Sequence, residues 1–266
     1  MEEFNRFIQH KGLKNNEGMP NSLESIVKNY KGKIECDAYL LKDGNIAIIH
    51  ERDFNLNKAD VENLDLAGLE ALRLTSSDRE MSPPLLKEFI ALAEDADTSL
   101  SLELRSSTEE KSLVLACYII NQFLEMDRVG GQSHNPKFIE EKVNFESFSV
   151  NVLNEVKKIA LANQKNIKTA LYWPTDEGWA KKIVDFTWGE LDKIADKDNL
   201  SWSELGTEVA AKNNINSIEF QPDVITKELL EKAHNLKLKV GSAPVSDEVL
   251  MKQLIDLGVD YILTTK

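Results

Sequence analysis

The stretch KGKIECDAYLLKDGNIAIIH, residues 31–50, places two carboxylates in a segment that otherwise resembles a buried strand. Side chains two residues apart on a strand share a face, so Glu35 and Asp37 point one way and Cys36 points the other. Two buried like charges are costly unless a positive charge lies between them. We therefore expect a divalent cation here, and oxygen-only ligands favour Mg²⁺, Ca²⁺ or Mn²⁺ over zinc.

Strand-like runs alternate with helical patterns on both sides of this stretch. The spacing predicts helices over 21–30, 85–96, 109–125, 152–164, 177–195, 226–236 and 246–258. The main strands are predicted over 4–10, 34–38, 99–104, 143–148, 168–173, 216–221, 238–242 and 260–264. Eight strands with helical crossovers predict an α/β fold, a single-domain (β/α)8 TIM barrel, with a doubly wound open sheet as the alternative.

A small insertion follows the second strand. Asp43-Gly44 is a hairpin turn signal, and the apolar run 46–49 leads to His50. The polar residues 51–80 come next and should lie over one mouth of the barrel. In a barrel, Glu35 and Asp37 would then project into that mouth.

Composition excludes several classes of protein. The net charge of −13 over 266 residues repels nucleic acid and anionic membranes, and no apolar run reaches the length of a membrane helix. Residues 1–12 lack the basic start and apolar stretch of a signal peptide. Cys36 and Cys117 have no metal-type spacing, so we expect two reduced thiols in a cytoplasmic protein.

Other charged side chains occur where predicted strands end. Glu103 and Arg105 share a face at the end of the strand over 99–104, which would add a third carboxylate and a positive charge to the same rim. His10 ends the first strand and His50 ends the hairpin. Two histidines beside a paired-carboxylate strand indicate chemistry rather than packing.

In this order, these residues resemble the motifs of the glycerophosphodiester phosphodiesterase family. That family has a His-Arg-Gly, a Glu-x-Asp strand, a Thr-Lys-Asp-Gly hairpin, a His-Asp, a Glu-x-Lys and a closing Leu-Gly-Val-Asp-Gly-Ile-Ile-Thr-Asp. The corresponding residues here are His10-Lys11-Gly12, Glu35-Cys36-Asp37, LKDG over 41–44, His50-Glu51, Glu103-Leu104-Arg105 and LIDLGVDYILTT over 254–265. The resemblance spans the chain, which we treat as one domain over 1–266.

The resemblance implies a metal-dependent hydrolase with its site at the carboxyl ends of the strands. Its metal would be held by Glu35, Asp37 and Glu103. His10 and His50 would act as general acid and base, cleaving a phosphodiester to glycerol 3-phosphate and an alcohol. Lys11 and Arg105 would hold the remaining phosphate charge. The expected partner is a small-molecule phosphodiester of lipid and glycerol metabolism.

Several positions depart from the family pattern. Lys11 replaces an Arg, Pro20-Asn21-Ser22 stands where the family has Pro-Glu-Asn-Thr and lacks its Glu, and Glu51 replaces an Asp. Ser242-Ala243-Pro244 replaces a Trp-Thr, which removes an aromatic substrate wall. These changes support an alternative function: a catalytically weak or inactive barrel that binds a phosphorylated metabolite or a protein partner. A phospholipase-type activity on lipid head groups is a third hypothesis.

Trp173 and Glu219 are the candidates for a replacement substrate wall, because each lies near the end of a predicted strand. A structural role competes with a functional one at both positions. Trp179, Trp188 and Trp202 lie on helical patterns and are expected to pack in the core. The chain shows no evident final helix, so the sequence leaves open a homodimer in which a second copy covers that flank.

Overall fold

The computed structural model describes residues 6–12, 20–29, 31–76, 79–129, 135–183, 186–195 and 197–265. The strands are β1 (Phe7–Gln9), β2 (Lys33–Leu40), β3 (Ile46–Ile48), β4 (Leu74–Ser76), β5 (Arg79–Met81), β6 (Ser99–Leu104), β7 (Val143–Ser147), β8 (Lys168–Tyr172), β9 (Ser217–Phe220), β10 (Lys239–Val245) and β11 (Tyr261–Thr264). The helices are α1 (Leu23–Lys28), α2 (Lys58–Glu62), α3 (Leu66–Ala71), α4 (Leu86–Asp95), α5 (Glu109–Val129), α6 (Phe138–Lys142), α7 (Val150–Ala162), α8 (Glu177–Ala180), α9 (Trp188–Leu191), α10 (Trp202–Lys212), α11 (Lys227–Asn235) and α12 (Glu248–Leu257).

Eight parallel strands close into a barrel. Around the barrel the order is β1, β2, β6, β7, β8, β9, β10 and β11. The ring closes because β1 pairs with β11 on one side and with β2 on the other, where Gln9 lies opposite Ile34. Helices cross over between successive strands, so the predicted (β/α)8 TIM barrel is confirmed. Within the described ranges, no helix is long and apolar enough to span a membrane.

Alternate side chains of β2 face opposite sides of the barrel wall. Ile34, Cys36 and Ala38 are fully buried in the main core, which lies between the barrel and its helices. Glu35 and Asp37 point inward, as the sequence predicts. A smaller apolar cluster fills the barrel itself; its members are Ile8, Tyr172, Ala243, Tyr261 and Leu263. Above this cluster, the barrel interior becomes acidic.

The insertion after β2 has its own small core. The strand β3 pairs antiparallel with β2, which confirms the predicted hairpin, and α2, α3 and the β4–β5 hairpin follow. Tyr39, Ile49, Val61 and Leu69 are buried together beneath it. The Glu62 carboxylate accepts a bond of 2.6 Å from the Lys111 ammonium, which ties the insertion to the segment after β6. The β4–β5 pairing was not predicted.

The helix predicted over 177–195 is wrong. Two short helices, α8 and α9, occupy this region, and the full-length helix of this barrel repeat is α10. Ser201 begins α10 with a capping box: its hydroxyl accepts from the amide of Glu204, and the Glu204 carboxylate accepts from the amide of Ser201. Gly178 and Gly189 weaken the predicted helix, because glycine is a poor helix former.

Trp173 lies in an aromatic cluster on the helix side of the barrel. Its ring centroid is 5.1 Å from that of Trp202 and 5.2 Å from that of Phe186, and Trp188 completes the cluster. The Trp173 indole N–H donates to the carbonyl oxygen of Trp202 at 3.0 Å. The side chain is 1% exposed, so its predicted place in a substrate wall is wrong, while Trp188 and Trp202 pack as expected.

Gly206 of α10 packs directly against the Trp173 ring. A Cβ at this position would lie 2.6 Å from the indole, closer than real contacts allow. We expect Gly206→Ala to destabilise the protein by about 1–3 kcal/mol, because the hydrogen-bonded indole cannot move aside. Gly189→Ala is the matched control, since a Cβ there meets nothing within 4 Å. Urea unfolding measures both; equal stability of the two variants would contradict the packing described.

Candidate active site

Three acidic side chains converge at the carboxyl ends of β2 and β6. Asp37 lies directly opposite Glu103 in the parallel register, and Glu35 precedes Asp37 on the same face. One carboxylate oxygen from each of the three lies within 4.8 Å of the others, and all three residues are buried. The predicted carboxylate group therefore forms, with oxygens from two adjacent strands.

The environment of this group disfavours its negative charge. Burial raises the pKa of Glu35 well above its usual value, and the charges of Asp37 and Glu103 raise it further. Burial also raises the pKa of Glu103 to about 6, with Asp37 raising and Arg105 lowering it. Nearby positive charge is therefore needed for all three carboxyls to stay ionised together.

Arg105 supplies part of that positive charge. Its guanidinium Nη1 donates to Asp37 Oδ1 at 3.1 Å and to Glu103 Oε1 at 2.9 Å. Nη2 donates to Glu51 Oε1 at 3.0 Å, and Nε donates to the Tyr39 hydroxyl at 3.3 Å. The guanidinium thus bridges carboxylates from three segments of the chain.

His10 and Lys11 follow β1 in a tight turn at the edge of the acidic group. Lys11 adopts a left-handed backbone with φ of 52°, and its amide donates to Glu35 Oε2 at 2.9 Å. His10 Nε2 lies 3.8 Å from the same oxygen. Gly12 has φ of +68°, and a Cβ there would clash with Ser25 at 2.4 Å, so glycine is required. Burial lowers the pKa of His10 to about 4.

His50 reaches the same mouth from the hairpin. Its Nδ1 accepts a bond of 3.3 Å from the amide of Arg52. Burial lowers the pKa of His50, while the Asp37 charge raises it and Arg105 lowers it. Because His50 also lowers the pKa of His10, the two imidazoles lie within electrostatic reach of each other. The predicted pair of histidines therefore meets around the acidic group.

Lys11 and Arg105, the predicted phosphate ligands, are both engaged by carboxylates. The Lys11 ammonium lies 3.1 Å from both oxygens of Asp53, and only 12% of its side chain is exposed. A phosphate group would have to bind Lys11 and Arg105 together with these carboxylates, or displace the carboxylates from the two side chains.

A family model matches this chain over nearly its whole length. The model describes the glycerophosphoryl diester phosphodiesterase family, and it matches residues 10–266. The chain belongs to this family. Membership makes it a phosphoric diester hydrolase of the glycerophosphodiester phosphodiesterase type.

Solved structures with the same fold include proteins named glycerophosphodiester phosphodiesterases. A glycerophosphodiester phosphodiesterase from Parabacteroides distasonis is 16% identical, with a TM-score of 0.71 and coverage of 98% of this chain and 92% of that one. One from Thermotoga maritima is 17% identical, with a TM-score of 0.61 and coverage of 97% and 93%. At these identities the likeness shows the fold.

A third solved structure contains a product. It is a phosphodiesterase from Oleispira antarctica in complex with sn-glycerol-3-phosphate. It is 17% identical to this chain, has a TM-score of 0.69 and covers 98% of this chain and 92% of that one. No curated protein matches the chain.

Two residues beside the acidic group have structural roles that the sequence did not reveal. Asn21, in the segment where the family's Glu is missing, donates from Nδ2 to Asp37 Oδ2 at 2.9 Å and accepts from the Asp37 amide at 3.2 Å. Glu51, at the position of a family Asp, accepts from the Tyr39 hydroxyl at 2.8 Å. At Glu51 the mismatch with the family motif was the only signal in the sequence.

Glu219 lies inside the barrel and is fully buried. Its place in a substrate wall stays a prediction. Its Oε1 accepts from the Tyr261 hydroxyl at 2.8 Å. The carboxyl of Glu146 on β7 is its electrostatic neighbour, and the Oε2 atoms of both residues have no hydrogen-bond partner among the described residues. Glu146 was not predicted as an acidic neighbour.

Two neighbouring buried carboxyls cannot both ionise at low cost. Burial raises the pKa of Glu219 to about 7, and burial with the Glu219 charge raises that of Glu146 well above its usual value. The folded state therefore binds more protons than the unfolded chain between the ordinary carboxyl pKa and about 7. Stability should fall as pH rises through that window.

We predict that Glu219→Gln removes part of the loss of stability that occurs as pH rises. The amide oxygen can still accept from Tyr261, but the side chain no longer ionises. Wild type should lose roughly 1–3 kcal/mol of unfolding free energy between pH 5 and 8 that the variant retains. Urea unfolding across this pH range measures the difference. Parallel pH profiles would show that the Glu219 carboxyl does not titrate as described.

Proposed function

We propose that this chain hydrolyses a glycerophosphodiester to glycerol 3-phosphate and an alcohol, with a divalent metal and two histidines. The single observation that carries the proposal is the convergence of Glu35, Asp37 and Glu103 within 4.8 Å, next to His10 and His50. The Oleispira antarctica structure holds sn-glycerol-3-phosphate, which supports the same product here. The whole chain would act as one catalytic domain.

The residues present fit a divalent cation. They offer carboxylate oxygens alone, which suits Mg²⁺, Ca²⁺ or Mn²⁺, and the raised pKa of Glu35 shows that the group lacks compensating charge. Arg105 engages Oε1 of Glu103, which leaves Oε2 of that carboxylate for another ligand. Asp37 already accepts from Arg105 at Oδ1 and from Asn21 at Oδ2, so a cation would share an oxygen of Asp37 with one of these donors. A bound cation would neutralise phosphoryl oxygens and activate the attacking hydroxyl.

His10 and His50 would move the protons. Their lowered pKa values leave both imidazoles unprotonated at neutral pH, so one of them can accept a proton from the attacking hydroxyl at once. The other must carry a proton to the leaving alkoxide, and a bound phosphodiester anion favours its charged form. The bond from the Arg52 amide to His50 Nδ1 orients that ring.

One observation favours the second candidate function, a barrel that binds a phosphorylated ligand without turning it over. Both predicted phosphate ligands are engaged by acids: Lys11 by Asp53, and Arg105 by Asp37 and Glu103. If these ion pairs persist when ligand is bound, catalysis would be weak.

The proposal includes the cellular setting. We place the enzyme in the cytoplasm, where the free thiols of Cys36 and Cys117 would stay reduced, and in lipid and glycerol metabolism. The homodimer that the sequence left open stays a prediction.

We expect His10→Ala to lower kcat/KM for a glycerophosphodiester by about 10²–10⁴-fold, because it removes one of the two proton-transfer groups. Glycerol 3-phosphate release with each candidate metal measures this. His234→Ala is the control, since His234 is 43% exposed and bonds Asp260 at 2.9 Å. No release by wild type with any metal would leave only the binding function, whereas equal nonzero rates in wild type and His10→Ala would remove His10 from the mechanism.

We expect Mg²⁺, Ca²⁺ or Mn²⁺ to raise the melting temperature of wild type and not that of Glu35→Gln. A cation that binds only the folded state stabilises it further as the cation concentration rises above its Kd, and the amide removes one anionic ligand. Glu231→Gln has the same charge change at a side chain that is 64% exposed, and should respond like wild type. A metal response that survives Glu35→Gln in full would place the cation elsewhere.

A further inference from the structure

A large cavity lies at the end of the barrel opposite the acidic group. Its volume is about 890 Å³, which is within the range of small-molecule sites. Its lining includes the first residues of β2, β8 and β10, which are Lys33, Lys168 and Lys239. Because the barrel strands are parallel, their first residues ring the face that lies away from Glu35, Asp37 and Glu103.

The charge of this cavity is opposite to that of the molecule. Six basic and two acidic side chains line it, in a chain whose net charge is −13. The basic residues are Arg6, Lys33, Lys142, Lys168, Lys237 and Lys239, and the acidic residues are Glu141 and Asp260. A concave surface lined by one sign of charge concentrates ions of the other sign.

The local acids neutralise only part of this charge. Asp260 Oδ2 already accepts from the Val240 amide at 2.8 Å and lies 2.9 Å from His234 Nε2. Lys142 pairs with Asp97 at 2.6 Å. In the part of the chain that the structure describes, Lys237 and Lys239 form no ion pair.

The ammonium groups also repel one another. After burial, the nearby charge of Lys239 is the largest cause that lowers the pKa of both Lys33 and Lys168. A bound anion would remove this repulsion. The competing explanation is that these lysines serve the fold by capping carbonyl groups, as Lys168 does when its ammonium donates to the Glu141 carbonyl at 2.9 Å.

We propose that this cavity is a second binding site, distinct from the acidic site, for a small anion that carries two or more phosphate groups. Lysine ammonium groups bind phosphate as point charges, and the five basic side chains other than Lys142 exceed what a single monoanion requires. The inner wall adds Asn144, Asn216 and Ser217, which can bond the rest of the ligand. The proposal does not depend on the proposed hydrolysis.

Isothermal titration calorimetry with pyrophosphate, in EDTA so that no metal bridges to the acidic site, tests this proposal. Wild type should bind saturably at one site, and binding should weaken as salt rises. The double variant Lys168→Gln/Lys239→Gln should weaken binding at least about tenfold. The control Lys181→Gln/Lys197→Gln makes the same charge change at exposed side chains and should bind like wild type.

Glu35→Gln separates the two sites, since it changes the acidic group and should leave pyrophosphate binding unchanged. If the double variant does not fold, the charge-retaining Lys168→Arg/Lys239→Arg and the single Lys239→Gln replace it, with binding retained in the first and reduced in the second. Three results would overturn the proposal: no binding by wild type, equal binding by wild type and the charge-removing variants, or loss of binding in Glu35→Gln.

Discussion

The bridging of buried carboxylates by the Arg105 guanidinium is the interaction on which the mouth of the barrel depends. Ionisation of one carboxyl makes ionisation of its neighbours more costly among Glu35, Asp37 and Glu103. The Arg105 guanidinium donates hydrogen bonds to two of these, Asp37 and Glu103, and also to Glu51. Breaking a buried pair by removing one partner typically costs 3–5 kcal/mol, because the other charge is left alone. Arg105 therefore keeps the acids in place, and the remaining negative charge is what the proposed cation would neutralise.

The barrel is electrically polarised from end to end. Acids occupy the carboxyl end, basic side chains ring the amino end, and the Glu146–Glu219 pair lies in the interior. The pair is tolerated there because its raised pKa values let it hold a proton. The placement suits a hydrolase of anionic esters, since the acids proposed to hold a cation and the proposed site of the phosphate share one end of the barrel.

Local sequence patterns predicted the parts of the site that depend on strand alternation. Glu35, Asp37 and Glu103 were found because two-residue spacing sets a face. The alternation of strands and helices left a barrel and a doubly wound sheet open, and the family resemblance favoured the barrel. Trp173 was misplaced because it packs against Gly206, more than thirty residues later in the chain. The sequence did not predict the hydrogen bonds between Asn21 and Asp37, because hydrophobic periodicity does not show which side chain outside a strand reaches a residue on it.

We propose that the carboxylates of Glu35, Asp37 and Glu103 hold a divalent cation beside Arg105. Anomalous diffraction from crystals soaked in Mn²⁺ would locate such a cation directly. One strong peak is expected at about 2.0–2.3 Å from oxygens of all three residues. A peak elsewhere, or no peak while the guanidinium still bridges Asp37 and Glu103, would contradict it.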